Sequence, residues 1–242
     1  MSTRVISELL AIVVPPACVA CRAALPRIDL RLCAACTRSL PWLPARTCPR
    51  CALPSHRSSG CPASSAAFAR AWAPLAHGGV ARELVAALKF RGALSVAALM
   101  AAHVAANLPA DLRELASAAV APRDQQRGPP AAVVPVPPQP VRERRRGFDP
   151  AGALTAALAP RLGLSEHACL RRRDRERRQV GATRTQRRRA GRITVELRAP
   201  PPPRALLVDD VHTTGATLDA CARALLAGGC REVVALTYTR TL

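Results

Sequence analysis

Leu206-Leu207-Val208-Asp209-Asp210-Val211-His212-Thr213-Thr214-Gly215-Ala216-Thr217-Leu218 is the stretch whose reading decides the fold. Ala205 to Val208 is a short apolar run and predicts a buried strand. Asp209 and Asp210 stand where that strand is expected to end. A Thr/Gly turn follows, and Leu218, Ala222 and Leu225 then mark one face of a helix. In open parallel sheets, ligands bind beyond the carboxyl ends of strands. A turn whose N–H groups gather at a helix N-terminus suits a phosphate. Gly215 permits close backbone approach, and the hydroxyls of Thr213, Thr214 and Thr217 add donors. The two acids would repel a phosphate, so their partners are sugar hydroxyls or a hydrated metal ion. The combination suggests a ribose 5-phosphate held at both ends. A polar turn with solvated aspartates explains the acid pair alone, but not the whole string.

The string resembles the phosphoribosyl-diphosphate (PRPP) motif of type I phosphoribosyltransferases. The resemblance implies an α/β fold, with a parallel sheet and flanking helices. It implies that Asp209 and Asp210 hold the ribose 2- and 3-hydroxyls and are the catalytic pair. It assigns the 5-phosphate to Thr213, Thr214, Gly215, Ala216 and Thr217.

Composition sets the limits. With 242 residues, the chain has room for one medium domain and a small satellite. The apolar fraction is 49% and the aromatic fraction 2%, so Ala, Leu and Val must build the core. The formal charge is +20, almost all from arginine, because Lys89 is the sole lysine. A GC-rich coding bias is one source of that arginine and of the 23 prolines. The charge still favours polyanionic partners. No apolar run reaches the roughly 18 residues of a membrane span. Val5 to Val14 reads as a short docked helix; Glu8 and the short core weaken the competing signal-peptide reading. The expected location is cytoplasmic.

Seven cysteines precede residue 62: Cys18-x2-Cys21, Cys33-x2-Cys36, Cys48-x2-Cys51 and Cys61. A CxxC pair points two thiolates at one point, and two such pairs complete a tetrahedral zinc site. Cys18, Cys21, Cys33 and Cys36 form one full set. An odd count of seven argues against a disulfide scaffold. Cys48, Cys51 and Cys61 begin a second set, but Ser64 stands where a fourth cysteine is expected. His56 is a candidate to complete it; an exposed loop histidine is the plainer reading, and a knuckle without metal is the alternative.

Residues 1–64 therefore read as an N-terminal helix and zinc ribbon, and 65–242 as the α/β domain. Residues 65–120 form a helical hood in this reading. Val80, Leu84, Val85 and Leu88 lie on one helical face, and Leu94, Leu99 and Val104 suggest a second helix. Lys89 and Arg91 serve the first helix end, with Gly92 as its stop; a reach towards a ligand is the alternative for both cations. Ala131 to Val136 reads as a strand feeding a stiff loop. Arg142, Arg144, Arg145 and Arg146 lie on that loop. Asp149 caps the next helix, whose stripe is Leu154, Leu158 and Leu162 and which Pro160 should end.

Pro135-Val136-Pro137, the basic loop and Arg146-Gly147-Phe148-Asp149 resemble the ComF-like competence branch of the phosphoribosyltransferases. That branch also starts with a short apolar helix, Pro-Pro and a cysteine-rich ribbon, so the resemblance covers nearly the whole chain. Two departures are Asp149-Pro150 in place of Asn-Gln, and Ser64 in place of the eighth ribbon cysteine. The resemblance implies PRPP with magnesium as ligand and structural zinc in the ribbon. It places the diphosphate near Arg142, Arg144, Arg145 and Arg146, and implies a link to single-stranded DNA uptake and other competence proteins.

Arg171 to Arg192 holds eleven arginines against Asp174 and Glu176. It reads as a solvated arm, a mobile flap over the site, or a nucleic-acid contact. Gln179 and Arg187 match a Gln and an Arg of the branch. Ile193 to Leu197 and Val233 to Thr237 read as further strands. Two functions from different classes stand: a PRPP-binding transferase or sensor, and a DNA-binding accessory protein on a non-catalytic scaffold.

Overall fold

A computed structural model describes residues 16–56, 60–117, 131–173 and 193–242. The expected N-terminal helix and most of the basic segment, with Gln179 and Arg187, lie outside the described residues. In chain order the elements are α1 (Ala34–Arg38), β1 (Arg70–Trp72), β2 (Leu75–Ala76), α2 (Gly79–Phe90), α3 (Ser95–Asn107) and α4 (Ala110–Ser117). They continue with β3 (Ala131–Pro135), α5 (Pro140–Arg146), α6 (Pro150–Leu158), β4 (Ser165–Glu166), β5 (Leu170–Arg172) and β6 (Val195–Leu197). The last three are β7 (Arg204–His212), α7 (Ala216–Ala227) and β8 (Glu232–Arg240).

The main sheet runs β1-β8-β7-β3-β4, with β2 also on β8, and every pairing in it is parallel. β5 and β6 form a separate antiparallel pair. The centre of the sheet is buried on both faces, as its continuous apolar runs require. On one face Leu206 and Val208 join α2, α3 and α6 in a single core. On the other, Ala205 and Leu207 pack with Leu218, Cys221, Ala222 and Leu225 of α7. Tyr238 and Phe68 are fully buried, whereas Trp42 and Phe90 are exposed, so Ala, Leu and Val supply most of the core.

The ribbon shares both cores. Cys18, Leu25, Leu32, Cys36 and Leu40 belong to the first, and Cys51 and Ala52 to the second. Trp42 bridges Leu75 of β2, and the Ala76 N–H donates to the Pro41 carbonyl at 2.9 Å.

Several local expectations are corrected. The acid pair lies inside β7, because β8 pairs with it as far as His212 opposite Arg240. Arg142 to Arg146 sit on helix α5, not on a loop; Pro140 fits its first turn and Gly147, at φ 76°, ends it. In α3 the buried side is Val96, Ala97, Met100, Ala101 and Val104, whereas Leu94 precedes the helix and is exposed. Alanines let that helix pack closely, so large residues alone misplace its face. The Leu154–Leu162 stripe divides into α6 and a 3-10 turn at Ala159–Leu162 that contains Pro160. Other expectations hold: α2 ends at Phe90 and Asp149 accepts from the Ala151 N–H at 3.0 Å.

Candidate functional site

A cleft of about 430 Å³ opens at the carboxyl ends of β3 and β7, beneath α2 and beside α5 and α6. Its origin is local. The last pair between β3 and β7 is Pro135 with Val208, and the chain beyond it contains Pro137 and Pro138, which have no N–H to give. β7 runs on to His212, so Asp209 and Asp210 project past their neighbour on that side.

Side chains alternate along a strand. Asp210 therefore shares the face of Leu206 and Val208, and Asp209 the face of Ala205 and Leu207. Both still line the cleft. Asp210 is buried, and Lys89 Nζ of α2 lies 2.8 Å from its Oδ1. Its carbonyl accepts from Thr239 Oγ1 at 3.2 Å. That hydroxyl lies 2.9 Å from His77 Nδ1; having given its proton to Asp210, it accepts from the ring, which sets the His77 tautomer. Burial, and then the charge of Asp210, hold the Asp209 carboxyl well above the usual carboxylate range. Burial also raises Asp149, the α6 cap that lines the cleft.

The turn after β7 is open to a ligand. Gly215 has φ +79° and caps α7, and a Cβ there would meet His212 Nε2 at 2.9 Å. His212 is buried below the turn, edge-on to Phe68, and its Nδ1 has no partner among the described residues. Burial, and then Arg240, bring its pKa down to about 4, so its ring is neutral at pH 7. Among the described residues, none accepts from the N–H groups of Thr213, Thr214 or Gly215. The Ala216 N–H reaches Thr214 Oγ1 at 3.4 Å.

Of the residues expected from the sequence, Asp209, Asp210, Thr213, Thr217, Arg142 and Arg146 line the cleft. Thr214, Gly215 and Ala216 shape the turn beside it. Arg144 and Arg145, on the same short helix, are not among its lining residues. Lys89, at the end of α2, reaches into the cleft and lies on Asp210, the alternative to a purely helix-end role. Arg82 and His77 also line the cleft and had no signal in the sequence, because only the fold of α2 over the sheet brings them there. With Arg172, five cations and three acidic groups among the described residues line the cleft. Such a lining suits a ligand with several phosphoryl charges and hydroxyls.

The ribbon supplies two further constellations. Ligand atoms of Cys18, Cys21, Cys33 and Cys36 all lie within 4.8 Å of one another, and so do those of Cys48, Cys51, His56 and Cys61. In a tetrahedron of Zn–S bonds of about 2.3 Å, sulfurs stand about 3.8 Å apart. Cys21 and Cys33 Sγ are 3.7 Å apart, as are Cys48 and Cys61 Sγ. Burial opposes ionisation of Cys18, but N–H groups of Cys21, Cys33 and Ala20 outweigh it and bring the thiol to about 6. Cys48 behaves alike: N–H groups of Arg50 and Cys51, helped by His56, overcome burial and bring it to about 6. Both sets fit structural zinc, and His56 takes the place that Ser64 leaves empty.

Fold and site together define a mixed α/β protein with a mostly parallel sheet and an N-terminal zinc ribbon. Residues 9–65 match the model of the double zinc ribbon domain. A comparison with curated proteins gives no match for the chain. Among the described residues, no helix is long and apolar enough to cross a membrane.

Proposed function

We propose that the cleft binds PRPP, and that the protein transfers or senses its phosphoribosyl group. One observation carries the reading: an open turn at the start of α7, with unengaged N–H groups, adjoins two carboxylates in a cationic cleft. The 5-phosphate sits on Thr213 to Thr217 at the helix N-terminus. Asp209 and Asp210 take the ribose hydroxyls. Arg142 and Arg146 face the diphosphate, where the forked guanidinium suits phosphoryl oxygens; Arg144 and Arg145 extend the same basic helix. Magnesium, when bound with the ligand, neutralises the diphosphate, and carboxylates are the oxygen donors it prefers. Transfer passes through an oxocarbenium-like state at the anomeric carbon, stabilised by position and charge and without an enzyme nucleophile.

Calorimetry with PRPP and magnesium tests this. Wild type binds, and the Asp209→Asn plus Asp210→Asn double variant loses most of the affinity; equal binding by both sinks the site. Turnover with a panel of bases separates a transferase from a sensor.

A second reading has its own support. The net charge is +20, and Arg142, Arg144 and Arg145 are exposed along α5. In this reading the ribbon and arginines hold single-stranded DNA beside other competence proteins in the cytoplasm, on a scaffold that does no chemistry. DNA affinity then falls steeply with salt and does not respond to the acid pair.

A further inference from the structure

Two chains of contact join the second ribbon to the turn at Thr213–Thr217. Arg240 is 5% exposed. Its Nε donates to the Cys51 carbonyl at 2.7 Å, and one Nη donates to the carbonyls of His212 at 2.9 Å and Thr213 at 2.6 Å. One buried guanidinium thus clamps the knuckle to the first residues of the turn. The other chain starts at Arg50, inside the same Cys48–Cys51 knuckle. Arg50 donates to the Phe68 carbonyl at 2.6 Å, the Phe68 ring meets His212 edge-on, and His212 underlies Gly215. Both guanidinium groups bond to main-chain carbonyls, and the last link of the second chain is the ring contact of Phe68 with His212.

We propose that a zinc ion held by Cys48, Cys51, His56 and Cys61 governs the order of the Thr213–Thr217 turn, and through it the affinity of the cleft for phosphorylated ligands. Without metal the knuckle keeps its backbone bonds, Cys48 N–H to the Leu53 carbonyl and Ala52 N–H to the Cys48 carbonyl at 2.8 Å each, but its four ligand groups are joined only by thiol and imidazole hydrogen bonds. Zinc fixes four ligand directions, and so the position of the Cys51 carbonyl. Arg240 carries that position to the turn. His56 is exposed and sits at the edge of the set, which makes it the ligand that can be changed without opening the core. The effect on ligand affinity rests on the phosphoribosyl reading above; the effect on the turn does not.

The test measures zinc content and amide exchange on the full chain. His56→Ala loses the second zinc, and the Asp219 and Thr241 amides, which bond the Gly215 and His212 carbonyls of the turn, exchange about tenfold faster or more, while α3 amides keep their wild-type rates. His56→Cys restores both. Arg240→Gln keeps the zinc and still quickens the turn. Full zinc content in His56→Ala overturns the ligand set. Zinc loss with an unchanged turn, or with α3 loosened equally, overturns the coupling. PRPP titration of the same samples then separates the two readings. Wild type that binds no PRPP sinks the ligand and leaves the exchange result standing; binding that is indifferent to the second zinc sinks the coupling to affinity alone.

Discussion

Lys89 Nζ stands 2.8 Å from Asp210 Oδ1, so the only lysine of the chain neutralises the buried member of the acid pair. Removing one partner of such a pair leaves a desolvated charge. Lys89→Met is expected to cost about 1–3 kcal/mol, the penalty for a buried polar group left unsatisfied. Adding Asp210→Asn returns part of that loss, so the double variant is more stable than the summed single effects. Urea unfolding of the four forms gives the coupling energy, and strict additivity refutes the pair.

Asp209 provides a pH signature. Its folded carboxyl titrates well above the usual value, through burial and then the charge of Asp210. From about 3.9 upward the unfolded chain ionises first, so the native state holds more protons. Stability therefore falls as pH rises through that window. Asp209→Asn removes the loss and is more stable than wild type at neutral pH. Denaturation midpoints measured across pH show this, and a wild-type curve unaffected by Asp209→Asn counts against it.

His212 gives the opposite slope. Burial, then Arg240, lower its pKa to about 4, against about 6.5 in the unfolded chain. Below that higher value the unfolded state takes up the proton first. Its contribution is complete above the unfolded pKa and fades as pH drops towards 4, by about 2–3 kcal/mol. His212→Gln flattens this acid limb. Thermal melts across the acid range read it directly.

Gly215→Ala strains the turn twice. The backbone is left-handed there, and the new Cβ meets His212 Nε2 at 2.9 Å. A loss of about 1–2 kcal/mol follows from the left-handed cost alone. Phosphate affinity drops as well, because either the turn or the ring below it must shift. A variant with unchanged melting temperature and affinity would show that the turn has slack.

The ribbon ligands and the strand-turn-helix were legible in the sequence because both are short-range patterns. CxxC spacing fixes a local geometry, and an apolar run, a glycine and a helical stripe occupy one stretch of chain. The extent of β7 was not legible: its last residues are polar, and only β8 pairing makes them strand. Helix α5 was read as a loop because its arginines carry no apolar periodicity. The face of α3 was misplaced because alanines do the packing.

The sequence alone determined which groups exist: thiolates in fours or threes, paired acids, a glycine turn, clustered arginines. Tertiary structure decided which of them meet. Lys89 precedes Asp210 by half the length of the chain, and Arg240 reaches the Cys51 carbonyl across an even longer separation. Such contacts have no local signature. They arise because parallel pairing of β3, β7 and β8 brings strand ends together, and because the ribbon buries its apolar residues in the same two cores.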